Sequence, residues 1–220
     1  MVTYMDEGIG EIVDLVQQLG QDENTLYLFT SDNGPTYNRL GGSDSDYFES
    51  SGDLSGRKGQ MDEGGIRVPL VVRWTGKVPA DTTSDQIGAW WCLLPTICEA
   101  AGAETPKDID GISLLPTMLG KPEQQREIPF LYWESAGYGG QQAVRMGKWK
   151  GIRKGLSRRR TLKNAPSPLS ISLFDLEKDV AESNNLADKH PQVVKQVEQI
   201  MQREHAPSDL YPIFALDAEK

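Results

Sequence analysis

The sequence predicts an α/β protein: part of a mixed sheet flanked by helices, followed by a small antiparallel sheet with a C-terminal helix. Three observations carry this reading. A helical apolar pattern over residues 4–19 runs, after a short loop, into the apolar stretch Leu26-Tyr27-Leu28-Phe29-Thr30, the order of an α/β unit. That stretch is uninterrupted rather than alternating, as in a strand covered on both faces. Beyond residue 126 the pattern changes to short strands that alternate polar and apolar, as in a half-exposed antiparallel sheet. The polar run 122–126 marks the boundary, giving a core domain over 1–125 and a small α+β subdomain over 126–220.

Composition narrows the function. The chain has 220 residues, 38% hydrophobic and 25% charged, which is the balance of a globular protein. Its net charge of -9 argues against nucleic acid or an anionic membrane as partner. No apolar run approaches the ~20 residues that cross a bilayer. The start, Met1-Val2-Thr3-Tyr4, passes straight into an amphipathic helix without a signal-peptide pattern, and localisation stays open. Cys92 and Cys98 lie six apart in a predicted helix, so they point to different faces and read as buried free thiols.

The elements follow in order. Ile9, Ile12, Val13, Val16 and Leu19 give the first helix one apolar face for packing on a sheet, and Gly20 suits its C-terminal stop. The strand 24–31 follows. A second strand covers Leu70 to Trp74, and a helix covers Trp90 to Ala101 with Pro95 in its first turn. Phe130 to Glu134, Gln142 to Arg153 and Ser172 to Leu176 read as three further strands. Pro191 to Glu204 is the last helix, with Pro191 at its start and Val193, Val194, Val197, Ile200 and Met201 on its inner face.

The chemistry concentrates between the first two strands. The first ends in Ser31-Asp32-Asn33-Gly34-Pro35, and ligands bind outside the carboxyl ends of strands in open α/β sheets. Asp32 and Asn33 offer hard oxygen donors suited to Ca²⁺ or Mg²⁺, although the same residues also favour a plain turn. Lys58 sits between Gly56 and Gly59, which permit close backbone approach, and a lysine supplies a compact positive charge for an oxyanion. A metal plus a lysine suggests a site for an anionic ester. Asp44, Asp46 and Asp53 lack the spacing of an EF-hand and read as a solvated loop. Arg57 reads as surface charge, and Glu63 with Arg67 as an ion pair holding the Gly64-Gly65 turn. Arg158, Arg159 and Arg160, with Lys154 and Lys163, read as a solvated hairpin tip. His190 and His205 read as capping or surface residues.

Ser31-Asp32-Asn33-Gly34-Pro35 followed by Gly56-Arg57-Lys58-Gly59 and Glu63-Gly64-Gly65-Ile66-Arg67-Val68-Pro69 resembles the second half of a sulfatase of the arylsulfatase type, in the alkaline phosphatase-like superfamily. The likeness continues through Leu93-Leu94-Pro95-Thr96, Asp110-Gly111-Ile112-Ser113-Leu114, the strand with Arg145, Gly147, Trp149 and Lys150, and the passage from Asp175 to Ala187. It implies hydrolysis of sulfate esters, with Asp32 and Asn33 as ligands of Ca²⁺ (or Mg²⁺) and Lys58 as the catalytic, sulfate-binding lysine. The substrate implied is a sulfated small molecule or glycan. By family analogy a full-length protein is periplasmic or secreted. The family's Cys/Ser-x-Pro-x-Arg motif, source of its formylglycine nucleophile, does not occur in these 220 residues. The chain therefore reads as a C-terminal portion, inactive alone. Its apolar strands with an open edge predict a partner chain bearing the N-terminal half, or self-association. The alternatives are a phosphoester or phosphonate hydrolase of the same superfamily, and a non-catalytic sulfatase-like binding protein.

Overall fold

The computed structural model describes residues 2–38, 44–157, 167 and 169–217. In chain order the elements are α1 (Val2–Gln18), β1 (Tyr27–Thr30), α2 (Glu63–Ile66), β2 (Leu70–Arg73), α3 (Leu93–Ala101), α4 (Leu115–Met118), β3 (Leu131–Ser135), β4 (Gln141–Met146), β5 (Trp149–Lys154), β6 (Ser172–Asp175), α5 (Pro191–Glu204) and α6 (Phe214–Asp217). The class is α/β as the sequence predicts, with a two-stranded and a four-stranded sheet among the described residues. The chain divides into two compact units. One takes Met1–Thr30 and Pro69–Ile128, the other Ser31–Val68 and Pro129–Lys220.

In the first unit β1 and β2 pair antiparallel, from Tyr27 opposite Arg73 to Thr30 opposite Leu70. Helix α1 ends where Gly20 turns left-handed at φ +67°, and Gln21 N–H reaches back to the Val16 carbonyl at 3.0 Å. The apolar face of α1, expected to lie on a sheet, is not buried at any residue, and Ile12 is 61% exposed. The strands differ from expectation in the same way. Phe29 and Val71 are exposed, so neither strand is covered on both faces among the described residues. In α3, Cys92 and Cys98 are free thiols; Cys92 is buried and Cys98 partly so. Buried Thr96 donates to the Cys92 carbonyl at 2.6 Å and accepts the Leu114 N–H at 2.9 Å, joining α3 to the start of α4.

The second unit is built on an antiparallel meander, β3-β4-β5-β6. The single strand expected over 142–153 is instead the hairpin β4–β5, turned at Gly147, whose φ of +54° suits a residue without a side chain. Alternation predicted one wet face, but the sheet is covered on both. Against one face α5 packs Val197, Ile200 and Met201 onto Val144, Ile171 and Leu173. On the other, Met61 from the long loop joins Ala143, Ile152, Phe174 and Leu176. That second layer was not readable as strand periodicity, because its cover is a loop.

His205 is not the surface residue expected. Its Nδ1 lies 2.8 Å from Glu134 Oε2 and its Nε2 2.8 Å from Asp217 Oδ1. Burial disfavours the charged ring, yet the hydrogen bonds and negative charge of the two carboxylates outweigh it and hold the His205 pKa above the usual 6.5. A raised pKa means the clamp contributes fully below the unfolded value and is lost as pH rises through the folded one. The melting temperature of the wild-type chain should therefore fall relative to that of His205→Gln as the pH is raised from below the usual histidine pKa into the alkaline range. A constant difference across that range, read by circular dichroism, would remove the charge clamp as a source of stability.

Candidate functional site

The chain leaves β1 through a tight turn. Ser31 Oγ donates to the Asn33 carbonyl at 2.9 Å, and Asn33 Nδ2 donates to the Gly34 carbonyl at 2.9 Å. This turn is then stitched to the loop beyond it. Gly34 N–H donates to the Gly65 carbonyl at 3.0 Å, and Lys58 N–H donates to the Pro35 carbonyl at 2.9 Å. The approach is so close that a Cβ on Gly34 would lie 1.7 Å from the Gly64 carbonyl oxygen. Segments more than twenty residues apart in sequence are thus joined at the backbone, and Asp32, Asn33 and Lys58 lie on the joined pieces. The Asp32 and Lys58 side chains are exposed. Neither makes a hydrogen bond or ion pair among the described residues.

The Lys58 turn has its own closure. Gly56 and Gly59 take φ of +78° and +86°. Gln60 N–H donates to the Arg57 carbonyl at 2.9 Å, and Arg57 N–H donates to Gln60 Oε1 at 3.0 Å. Arg57 is more than solvated charge: its guanidinium pairs with Asp46 at 2.7 Å and lies 5.6 Å from the centre of the Tyr37 ring. Asp44, Asp46 and Asp53 form no metal cluster, and no group of three or more His, Cys, Asp or Glu side chains suited to a metal occurs among the described residues.

The sheet of the second unit clamps this loop from below, through residues whose role the sequence did not reveal. Gln141 of β4 donates Nε2 to the Gly59 carbonyl at 2.9 Å and accepts Met61 N–H at 3.3 Å. Lys154 of β5 places its ammonium 2.6 Å from both oxygens of Asp62. Lys150 of β5, wholly buried, reaches Glu63 Oε1 at 2.8 Å and Glu182 Oε1 at 3.0 Å. Glu182 Oε2 accepts both Ser55 Oγ–H and Glu63 N–H at 2.7 Å. The expected Glu63–Arg67 pair is present at 3.8 Å, but it is the outer and longer contact. Two carboxylates therefore face two cations, which is what buried charge requires. Lys150 and Glu182 stand inside stretches that carry the family likeness, which was the available signal. Arg158, Arg159, Arg160 and Lys163 lie outside the described residues.

The donor set defines what the turn can hold. Asn33 uses its Nδ2 on Gly34, so its Oδ1 remains an acceptor beside the Asp32 carboxylate. Two hard oxygens fit a divalent cation such as Ca²⁺ or Mg²⁺, but Ca²⁺ takes about six to eight ligands, so these residues would be part of a shell.

Residues 57–206 match the family profile described as N-sulphoglucosamine sulphohydrolase, C-terminal, and residues 1–103 match the profile described as sulfatase. The chain belongs to the sulfatase family. It is 32% identical over 214 residues to human arylsulfatase A, covering 89% of this chain and 41% of that protein. It is 36% identical over 154 residues to dog N-acetylgalactosamine-6-sulfatase, covering 68% of this chain and 27% of the relative. The chain thus spans less than half the length of these sulfatases. Among solved structures, a chain from work on the metabolism of multiple glycosaminoglycans by Bacteroides thetaiotaomicron superposes with a TM-score of 0.69 at 27% identity, over 90% of this chain and 42% of that one. Ps i-CgsB in complex with k-i-k-neocarrahexaose shares the fold, with a TM-score of 0.73 at 24% identity over 100% of this chain and 47% of that one.

Lys150→Met keeps the length of the side chain but leaves Glu63 and Glu182 facing each other in the interior. Removing one partner from such a cluster costs ~3–5 kcal/mol. Urea unfolding should show a loss of that order. A loss under about 1 kcal/mol, the scale of an exposed pair, would mean that Lys150 is not an organising charge.

Proposed function

We propose that this chain supplies the metal-binding and sulfate-binding part of a sulfatase site, and that the whole site hydrolyses a sulfate ester. Membership of the sulfatase family supports the reaction class. The observation that carries the residue assignment is the backbone junction: the hydrogen bonds from Gly34 to Gly65 and from Lys58 to Pro35 join the two segments that carry Asp32, Asn33 and Lys58, with the Asp32 and Lys58 side chains exposed. Asp32 Oδ and Asn33 Oδ1 would hold a divalent cation, Ca²⁺ in this reading. When bound, that cation neutralises negative charge on the ester oxygens and acts as a Lewis acid. Lys58 binds the sulfate oxygens and stabilises the charge that grows as the S–O bond breaks. Its backbone is fixed on both sides, by Pro35 and by the Gln60 turn, so the anchor of the side chain is set while its flexible stem reaches for the anion. Nothing in the 220 residues supplies the nucleophile motif, so the chain by itself binds without turning over.

Calorimetric titration of the purified chain tests the assignment. Inorganic sulfate should bind, Lys58→Ala should weaken it about tenfold or more, and Asp32→Asn should weaken Ca²⁺ binding without affecting sulfate to the same degree. The chain should not hydrolyse 4-nitrophenyl sulfate. Sulfate binding indifferent to Lys58, or robust turnover by the isolated chain, would overturn the reading. Tighter binding of phosphate than sulfate would favour a phosphoester hydrolase instead.

The same reading includes a partner. Phe29, Leu70 and Val71 lie exposed on a two-stranded sheet, which is marginal without cover, and the apolar face of α1 is exposed as well. Light scattering should find the chain self-associated, or bound to a chain carrying the rest of the sheet. A stable monodisperse monomer would count against this.

A further inference from the structure

Lys58 is flanked by an aromatic pair that the proposed chemistry does not use. Its neighbour Gly59 carries the Tyr138 ring directly on its backbone, since a Cβ there would lie 2.1 Å from that ring. Tyr138 is stacked with Tyr37, the ring centres 6.5 Å apart and the planes inclined by only 15°. The other neighbour, Arg57, lies against Tyr37. So the residues on either side of Lys58 are each touched by one ring of a parallel pair. Both rings remain open to solvent. Tyr138 keeps 62% of its surface in water, and Tyr37 39%. Tyr138 also holds a left-handed backbone, φ +52°, in the turn between β3 and β4, closed by Gly140 N–H on the Gly137 carbonyl at 3.0 Å. A non-glycine residue kept in that conformation is strained, and such strain gathers at ligand-binding positions.

We infer that Tyr138 and Tyr37 form a stacking platform for the pyranose ring that bears the sulfate held by Lys58, making this a subsite for a sulfated sugar. The inference rests on the reading that Lys58 binds the sulfate group. A tyrosine face offers a large rigid contact at little entropic cost, and its hydroxyl can bond to a neighbour. The surroundings favour a sugar over an aryl or other apolar ring. The Arg57–Asp46 pair and Asn38, which accepts Asp46 N–H at 2.9 Å, fringe the rings with donors and acceptors suited to hydroxyl groups. An apolar ligand would instead need enclosing apolar walls.

The test titrates the 220-residue chain with inorganic sulfate, galactose 6-sulfate, galactose and 4-nitrophenyl sulfate, as wild type, Tyr138→Ala, Tyr138→Phe and Lys58→Ala. Galactose 6-sulfate should bind wild type about tenfold more tightly than sulfate does, the scale of one stacked ring. Tyr138→Ala should abolish that gain and leave sulfate binding unchanged, while Tyr138→Phe keeps most of it. Circular dichroism should show both variants folded, and Tyr138→Phe keeps the ring on the Gly59 backbone. If Tyr138→Ala binds the sulfated sugar like wild type, the platform is wrong even where Lys58 binds sulfate. If the sugar binds in a Tyr138-dependent way but Lys58→Ala changes nothing, the platform stands and the sulfate assignment falls. A Tyr138-dependent gain for 4-nitrophenyl sulfate with none for the sugar would overturn the pyranose in favour of an aryl ring.

Discussion

Everything above the four-stranded sheet of the second unit hangs on one buried ammonium. Lys150 rises from the start of β5 with no exposure and meets Glu63 and Glu182, one at the start of α2 and the other in the turn after β6. A charge in that position is tolerable only because it is surrounded. Glu182 spends its second oxygen on Ser55 and on the Glu63 backbone, and Arg67 adds a second, outer cation. Replacing such a cluster wholesale by apolar groups is often neutral, whereas breaking it is costly. Its value is therefore specificity of position. It tells the loop from 55 to 67 where to sit on the sheet, and that loop carries Lys58.

The rest of the clamp repeats the same logic with weaker parts. Gln141 gives a donor and an acceptor to the backbone at Gly59 and Met61, satisfying groups that a loop lying on a sheet would otherwise bury unpaired. Lys154 holds Asp62. Met61 then fills the apolar layer beneath, with Ala143, Ile152 and Phe174. From above, the Gly34–Gly65 and Lys58–Pro35 hydrogen bonds close the junction. The pinned loop and a turn with no room for a Cβ at Gly34 fix the backbone that carries Asp32, Asn33 and Lys58.

The sequence displayed the local features well and the long-range ones poorly. The last helix runs from Pro191 to Glu204 as its apolar spacing and starting proline require. Gly20, Gly56 and Gly59 all adopt the left-handed backbone for which glycine is suited. The Lys58 turn was legible for that reason. Gln141 and Lys150 were not, since a polar residue in a strand ordinarily signals a wet face, and Glu182, in the loop after β6, meets partners 119 and more residues earlier. Here the wet face is roofed by a loop more than eighty residues earlier in the chain. The same roof explains why β4 and β5 looked half-exposed, and the compact turn at Gly147 hid their separation. The apolar face of α1 was read correctly as a pattern, but the pattern could not say that its cover would be absent from the described residues.

The clamp also fixes the order in which the site can come into being. Ser55 and Glu63 wait for Glu182, 127 and 119 residues later, and Glu63 waits for Lys150, 87 residues later. Contacts of such long sequence separation form slowly, because loop closure must be met before they contribute. Lys58 precedes β5 and Glu182 in the chain, so its turn gains its floor only when those later segments have been made. A chain interrupted between residues 58 and 150 would carry Asp32, Asn33 and Lys58 but lack Lys150 and Glu182, which position their loop.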